Sequence, residues 1–417
     1  MTIETAIYAG GGFCFGEDWA LQDMAAAKFD TLLIWSVHVD STGNLALNNN
    51  PLVNASGYHD YGMDLAARLA KLRNGGPAQG GTRIGFSVGS GGTSDWTNIY
   101  NLVKNGAPAK GQPLYDNFAT LLSTMQAVTG GGIDFIDFDC EDASGDNLTT
   151  AVTNFAQMLG DVGYANVSFC PSFPSEISYW QTALQNLVTS NGAGFVRALN
   201  IQFYSGGAYN TVKSWTDVVA NTGSSALVIP GLSTNNAEPG PWWYTDPSGK
   251  SAMGGTVVKT PGVAQYGKGD WSGKLRVENH ASAEDALKAA GTQDTFFFHC
   301  NGPLDLGAAG SYTTGDTVYF IGPLRWGSAG QADGYALSGS KTVNAPNYGG
   351  VGGCPDQLQG QYKTWSGDTV PPDGGFIWMY DSILSTGLTP CCGGSETAIK
   401  ATASEYRQAI TNGLSGS

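Results

Sequence analysis

Short strand-like apolar runs alternate with helical patterns along most of the chain, and that rhythm limits what it can fold into. The runs lie at residues 5–8, 31–37, 84–88, 133–139, 167–170, 198–203, 226–230 and 375–380. Helical patterns fill the gaps at 19–27, 62–73, 114–128, 149–162, 180–189 and 209–219, with others at 355–365 and 396–413. A strand, a helical crossover and another strand make a parallel sheet. Eight strands with this spacing predict an α/β fold, a closed (β/α)8 TIM barrel whose active face lies at the C-terminal strand ends. The chain's 417 residues suffice for it, and 41% hydrophobic content fills its core.

The rhythm breaks once. From residue 235 to 350 the chain turns Gly-rich, with β runs expected at 295–300 and 317–321 and a short helix at 283–290. This predicts a β-rich insertion between barrel strands 7 and 8, dividing the barrel into residues 1–234 and 351–417. Loops after barrel strands lie on the active face, so the insertion is expected to wall or cover the cleft.

The fourth run carries the strongest chemical signal. In Gly132-Ile133-Asp134-Phe135-Ile136-Asp137-Phe138-Asp139-Cys140-Glu141, acids alternate with apolar residues at the period of a strand. Asp137, Asp139 and Glu141 share one face; Ile136, Phe138 and Cys140 share the other. Neighbouring carboxylates on that face lie roughly 6.6 Å apart along the backbone, near enough to couple. Crowding like charges in a low-dielectric site is unfavourable for stability, so chemistry is the better explanation. A calcium loop would place Gly and Asn between its ligands, where this chain has Ile, Phe and Cys.

Composition narrows the partners. A net charge of −15 argues against nucleic acid and anionic membranes and suits an uncharged ligand. No window approaches the ~20 apolar residues of a membrane span. The first residues lack a basic head and apolar run, so no secretory signal is visible. The seven cysteines form no CxxC pair; most read as buried thiols, with Cys354 and either Cys391 or Cys392 as a candidate bridge. The histidines at 38, 59, 280 and 299 lack zinc spacing, and no phosphate-binding Gly loop opens a helix. No metal or cofactor is implied.

Asp134-x-x-Asp137-x-Asp139-x-Glu141 resembles the DxxDxDxE signature of glycoside hydrolase family 18, the chitinases and endo-β-N-acetylglucosaminidases. Phe86-Ser87-Val88-Gly89-Ser90-Gly91-Gly92 is similar to that family's third strand, Gln202-Phe203-Tyr204 to its sixth and Gly375-Phe376-Ile377-Trp378 to its eighth. The resemblance covers residues 1–234 and 351–417. Phe135 stands where the family has Gly, Cys140 where it has an aromatic, and Ser90 where SxGG has its second Gly; Ser205 follows Tyr204 where Asn or Asp is common.

The resemblance implies a retaining hydrolase of β-1,4-linked N-acetylglucosamine, in which the substrate's own acetamido oxygen is the nucleophile. Glu141 would be the general acid, kept protonated by its acidic neighbours. Asp139 would orient the acetamido group, and Asp137 would share a proton with Asp139. Tyr204 would hold the acetamido oxygen, and Trp378 would form the floor under the sugar ring. Gln202, Ser87, Trp242 and Trp243 are further candidates for substrate contact; Ser87 is also a candidate partner of Asp137. Asp134 has the opposite strand parity and is expected to support the motif by hydrogen bonding. Trp96, Trp271 and Trp326 read equally well as cleft or core aromatics. Chitin or chito-oligosaccharides are the expected substrate, outside the cell. Alternatives are an endo-β-N-acetylglucosaminidase acting on N-glycans and a chitin-binding lectin, although lectins on this barrel typically lose the acidic Glu. The oligomeric state is not legible.

Overall fold

The computed structural model describes residues 3–14, 18–60, 64–74, 76–128, 131–204, 207, 210–234, 355–385 and 402–416, and the strand backbones at 244–245, 251–252, 256–260, 263–269, 275–280, 317–323 and 335–342. Eight parallel strands form the frame: β1 Glu4–Ala9, β2 Thr31–Val39, β3 Arg83–Val88, β4 Phe135–Phe138, β5 Val167–Phe169, β6 Val196–Gln202, β7 Leu227–Ser233 and β8 Gly374–Trp378. Each pairs with the next, and β1 pairs with both β2 and β8, which closes the sheet into a TIM barrel. Crossover helices follow: α1 Asp18–Ala27, α2 Leu65–Arg73, α3 Pro113–Ala127, α4 Gly145–Val162, α5 Ile177–Asn191, α6 Val212–Thr222, α7 Pro355–Ser366 and α8 Ala403–Ser415. No helix among the described residues is long and apolar enough to cross a membrane.

Strand alternation sorts the core into two layers. Ala6, Tyr8, Leu33, Phe135, Cys170, Ala198, Tyr204, Ile229 and Phe376 fill the barrel interior. The alternate residues, among them Ile7, Ile34, Phe86, Phe138, Phe169 and Ile201, pack outward against the helices. Phe138 of the acid strand illustrates the outer layer: its ring lies 5.1 Å from Trp96, 5.1 Å from Phe155 of α4 and 5.6 Å from Phe169 of β5. Burying such a side chain fully stabilises by ~3 kcal/mol, so one face of β4 anchors what the other presents.

Three details differ from the sequence expectation. The loop after β2 folds into an antiparallel hairpin series, Leu45–Leu47, Asn50–Asn54 and Gly57–Tyr58. Two helices, Asp95–Val103 and α3, cross between β3 and β4. The eighth strand ends at Trp378, and a short helix, Tyr380–Ser385, begins immediately; α8 starts at Ala403, capped by a reciprocal Thr402–Glu405 pair.

Between β7 and α7 the chain forms a two-stranded sheet, Tyr244–Thr245 with Ser251–Ala252. An antiparallel five-stranded sheet has the order Leu275–His280, Val263–Gly269, Thr256–Thr260, Thr317–Pro323, Tyr335–Thr342. The expected β run at 295–300 and helix at 283–290 lie outside the described residues, as do Cys300, Cys354, Cys391 and Cys392. Cys14, Cys140 and Cys170 are buried free thiols.

Candidate active site

The site grows from β4. Asp137 lies inside the barrel with its carboxylate fully buried, and neighbouring strands supply four donors. Tyr8 of β1 (2.9 Å) and Ser87 of β3 (2.8 Å) donate to Oδ2, while Ser168 of β5 (2.5 Å) and Asn200 of β6 (3.0 Å) donate to Oδ1. Strand register sets this up: Ser87 and Ser168 are the Cα partners of Asp137 on either side. Burial raises the Asp137 carboxyl above the usual carboxylate range, and the four hydrogen bonds oppose that rise.

Asp139 sits one step higher. Trp35 Nε1–H of β2 donates to its Oδ2 (3.0 Å), and Gln202 Nε2–H donates to its Oδ1 (3.0 Å). Burial pushes its carboxyl well above the ordinary range, and the charges of Glu141 and Asp137 push it further. A hydrogen bond between Asp139 and Glu141 also favours the protonated form of Asp139. Burial raises both carboxyls, and fewer donors oppose the rise at Asp139 than at Asp137.

Glu141 is half-buried, three residues beyond the end of β4. Gln202 Nε2–H also reaches its Oε1 (3.2 Å), so one side-chain amide bridges both acids. Gly91 leaves room for the Glu141 carboxyl: a Cβ there would stand 3.0 Å from Oε2.

Aromatic rings build a wall beside the acids. Trp378 of β8 stacks on Tyr204 (5.7 Å, 17° between planes), meets Trp35 edge-on at 4.8 Å, and lies 5.3 Å from Tyr8. Trp378 is half-buried, whereas Tyr204 is buried. Burial raises the Tyr8 hydroxyl well above its usual range, as does the neighbouring Asp137 charge, so Tyr8 stays a neutral donor.

The structure thus brings Asp139, Glu141 and Gln202 into one hydrogen-bonded group, with Asp137 and its partner Ser87 beneath it and Tyr204 and Trp378 alongside. Two of these residues touch the acids directly. Ser87 is fully buried on Asp137, and Gln202, also buried, spans the two upper acids. Trp242 and Trp243 lie outside the described residues, together with Trp271 and Trp326. Asp134 is at the opposite strand end, where it pairs with Arg73 (3.0 Å) and accepts the backbone N–H of Ile84 (2.8 Å). Tyr8, Trp35, Ser168 and Asn200 were missed by sequence reasoning. For Ser168 the available signal was its register beside Asp137; Tyr8, Trp35 and Asn200 come from strands that do not pair with β4, so their approach has no local pattern.

No protein-family model matches the chain, and no curated protein matches it in sequence. Solved structures resemble it in outline. A chitinase from Aspergillus fumigatus shares 19% identity over 56% of this chain and 79% of its own, at a TM-score of 0.38. A chitinase from Chromobacterium violaceum shares 11% identity over 99% of both chains, at 0.45. A fungal endo-β-N-acetylglucosaminidase of glycosyl hydrolase family 18 shares 16% identity over 56% of this chain and 78% of its own, at 0.36. That family is the one whose motifs the sequence resembles.

Proposed function

We propose that the protein is a retaining glycosidase that hydrolyses β-1,4 linkages of N-acetylglucosamine in chitin or chito-oligosaccharides, using the substrate's acetamido group as nucleophile. The observation that carries the reading is the graded chain Asp137–Asp139–Glu141. Its inner member is held by four donors, its middle member by two and by Glu141, and its outer member stands half-buried at the strand end.

The chemistry follows from that grading. Glu141 gives a proton to the glycosidic oxygen as the bond to the anomeric carbon breaks. The acetamido carbonyl oxygen forms a new bond to that carbon on the opposite face, giving a bicyclic oxazolinium ion and releasing the leaving sugar as an alcohol. Asp139, turning from Glu141 toward the acetamido N–H, balances the positive charge. Asp137, whose burial raises its carboxyl above the usual carboxylate range, takes part of the Asp139 proton in that step. Water then attacks the anomeric carbon, and Glu141 removes its proton. The product keeps the starting configuration. Trp378 gives the ring-binding floor, an aromatic face against sugar C–H groups, and Tyr204 flanks the acetamido group.

N-glycan cores contain the same linkage, so one experiment separates the substrates. The protein is incubated in parallel with a fluorogenic diacetylchitobioside, with chito-oligosaccharides and with a high-mannose glycoprotein. Cleavage of the first two with dimer release is expected. Release of intact glycans alone would reassign the substrate, and no cleavage of any would favour a sugar-binding role.

A further inference from the structure

The nine-residue helix Asp95–Val103 begins without a cap of its own, because Ser94 makes no side-chain bond to its first turn. Asp142, the residue after Glu141, takes that role from another loop. Its Oδ1 accepts the backbone N–H of Trp96 (3.0 Å), and its Oδ2 accepts that of Thr97 (3.0 Å). The two bonds satisfy first-turn N–H groups that the helix itself leaves without a partner.

From the same turn, the Trp96 indole N–H reaches the backbone carbonyls of Val88 (3.1 Å) and Asp139 (3.0 Å). Asp95 reaches the other way, accepting the Val39 N–H (2.8 Å) and facing His38 Nδ1 (2.8 Å). His38 Nε2 in turn lies 3.0 Å from Ser36 Oγ. Three consecutive helix residues therefore grip the ends of β2 and β4, which carry Trp35 and the acids. Ser36, His38 and Asp95 have the order of a nucleophilic triad, but Ser36 is 1% exposed, so its hydroxyl is closed to substrate and the chain acts as an anchor.

We propose that Asp142 and Trp96 are positioning residues for Glu141: they clamp segment 139–142 to the helix so that the acid's carboxyl is aimed at the leaving oxygen. This inference rests on the hydrolase reading above. Glu141 lies past the barrel ladder, and a donor displaced by ~1 Å can lose about 10²-fold in rate.

The test uses two aryl diacetylchitobiosides, one with a weakly acidic phenol and one with dinitrophenol. The first leaving group needs the proton from Glu141; the second does not. Asp142→Ala and Trp96→Phe, the latter keeping an aromatic ring but losing the indole N–H, should lower kcat roughly 10- to 100-fold on the first. They should lower kcat by less than about threefold on the second, with KM little changed. Asp142→Asn, which keeps one acceptor oxygen, should recover part of the loss. Equal losses on both substrates, or none, would overturn the positioning role and leave the hydrolase reading intact. A wild-type protein that cleaves neither would overturn both.

Discussion

Asp137 lies on β4 and Asp139 one residue past its end, yet their surroundings differ. Asp139 binds its proton more tightly in the folded chain than in the unfolded one. The stability it contributes is therefore full below the ordinary carboxylate range and is lost as pH rises through the folded value. Asp139→Asn carries no such charge. Its melting temperature relative to wild type should climb as pH rises above the ordinary carboxylate range. Parallel melting curves from acid to neutral pH would contradict the raised carboxyl of Asp139. At this scale the sequence showed which acids share a face, because strand parity needs only spacing. It did not show what holds them. Gln202 reads as a sugar contact from its motif, yet its amide bridges two acids. Trp96 reads equally well as a cleft aromatic, yet two backbone carbonyls accept its N–H in the interior.

At the scale of elements, the turn after β3 works by making space for β4. Gly89 has φ +100°, and a Cβ there would collide with the Asp139 carbonyl oxygen and the Trp96 indole nitrogen. Gly92 has φ +75° with nothing within 4 Å of its virtual Cβ. Gly89→Ala should therefore cost about 3 kcal/mol or more in urea unfolding, against about 1 kcal/mol for Gly92→Ala. Equal costs would show that the crowding at Gly89 relaxes freely. The barrel strands were legible because buried parallel strands are short apolar runs. The helix Asp95–Val103 was not, since it is short, begins with polar residues after a Gly-rich turn, and borrows its cap from Asp142. Such a cap is a tertiary contact with no local pattern.

Across the whole molecule, the Glu4 ion pairs and the candidate site occupy opposite ends of the barrel. At the N-terminal strand ends, Glu4 accepts hydrogen bonds from Arg83 (2.9 Å), Arg197 (2.9 Å) and Thr31 (2.6 Å). Glu4→Ala leaves Arg197, largely buried, without that partner. It should destabilise the fold by about 2–3 kcal/mol while changing kcat by less than about twofold. A matching loss of kcat would tie the two ends together. The most direct test of the account lies at the other end, where hydrolysis of a fluorogenic diacetylchitobioside is compared for wild type and Glu141→Gln. Steady release by wild type and a fall of roughly 10³-fold in the variant are expected, at an unchanged melting temperature. A variant that turns over at the wild-type rate would contradict it.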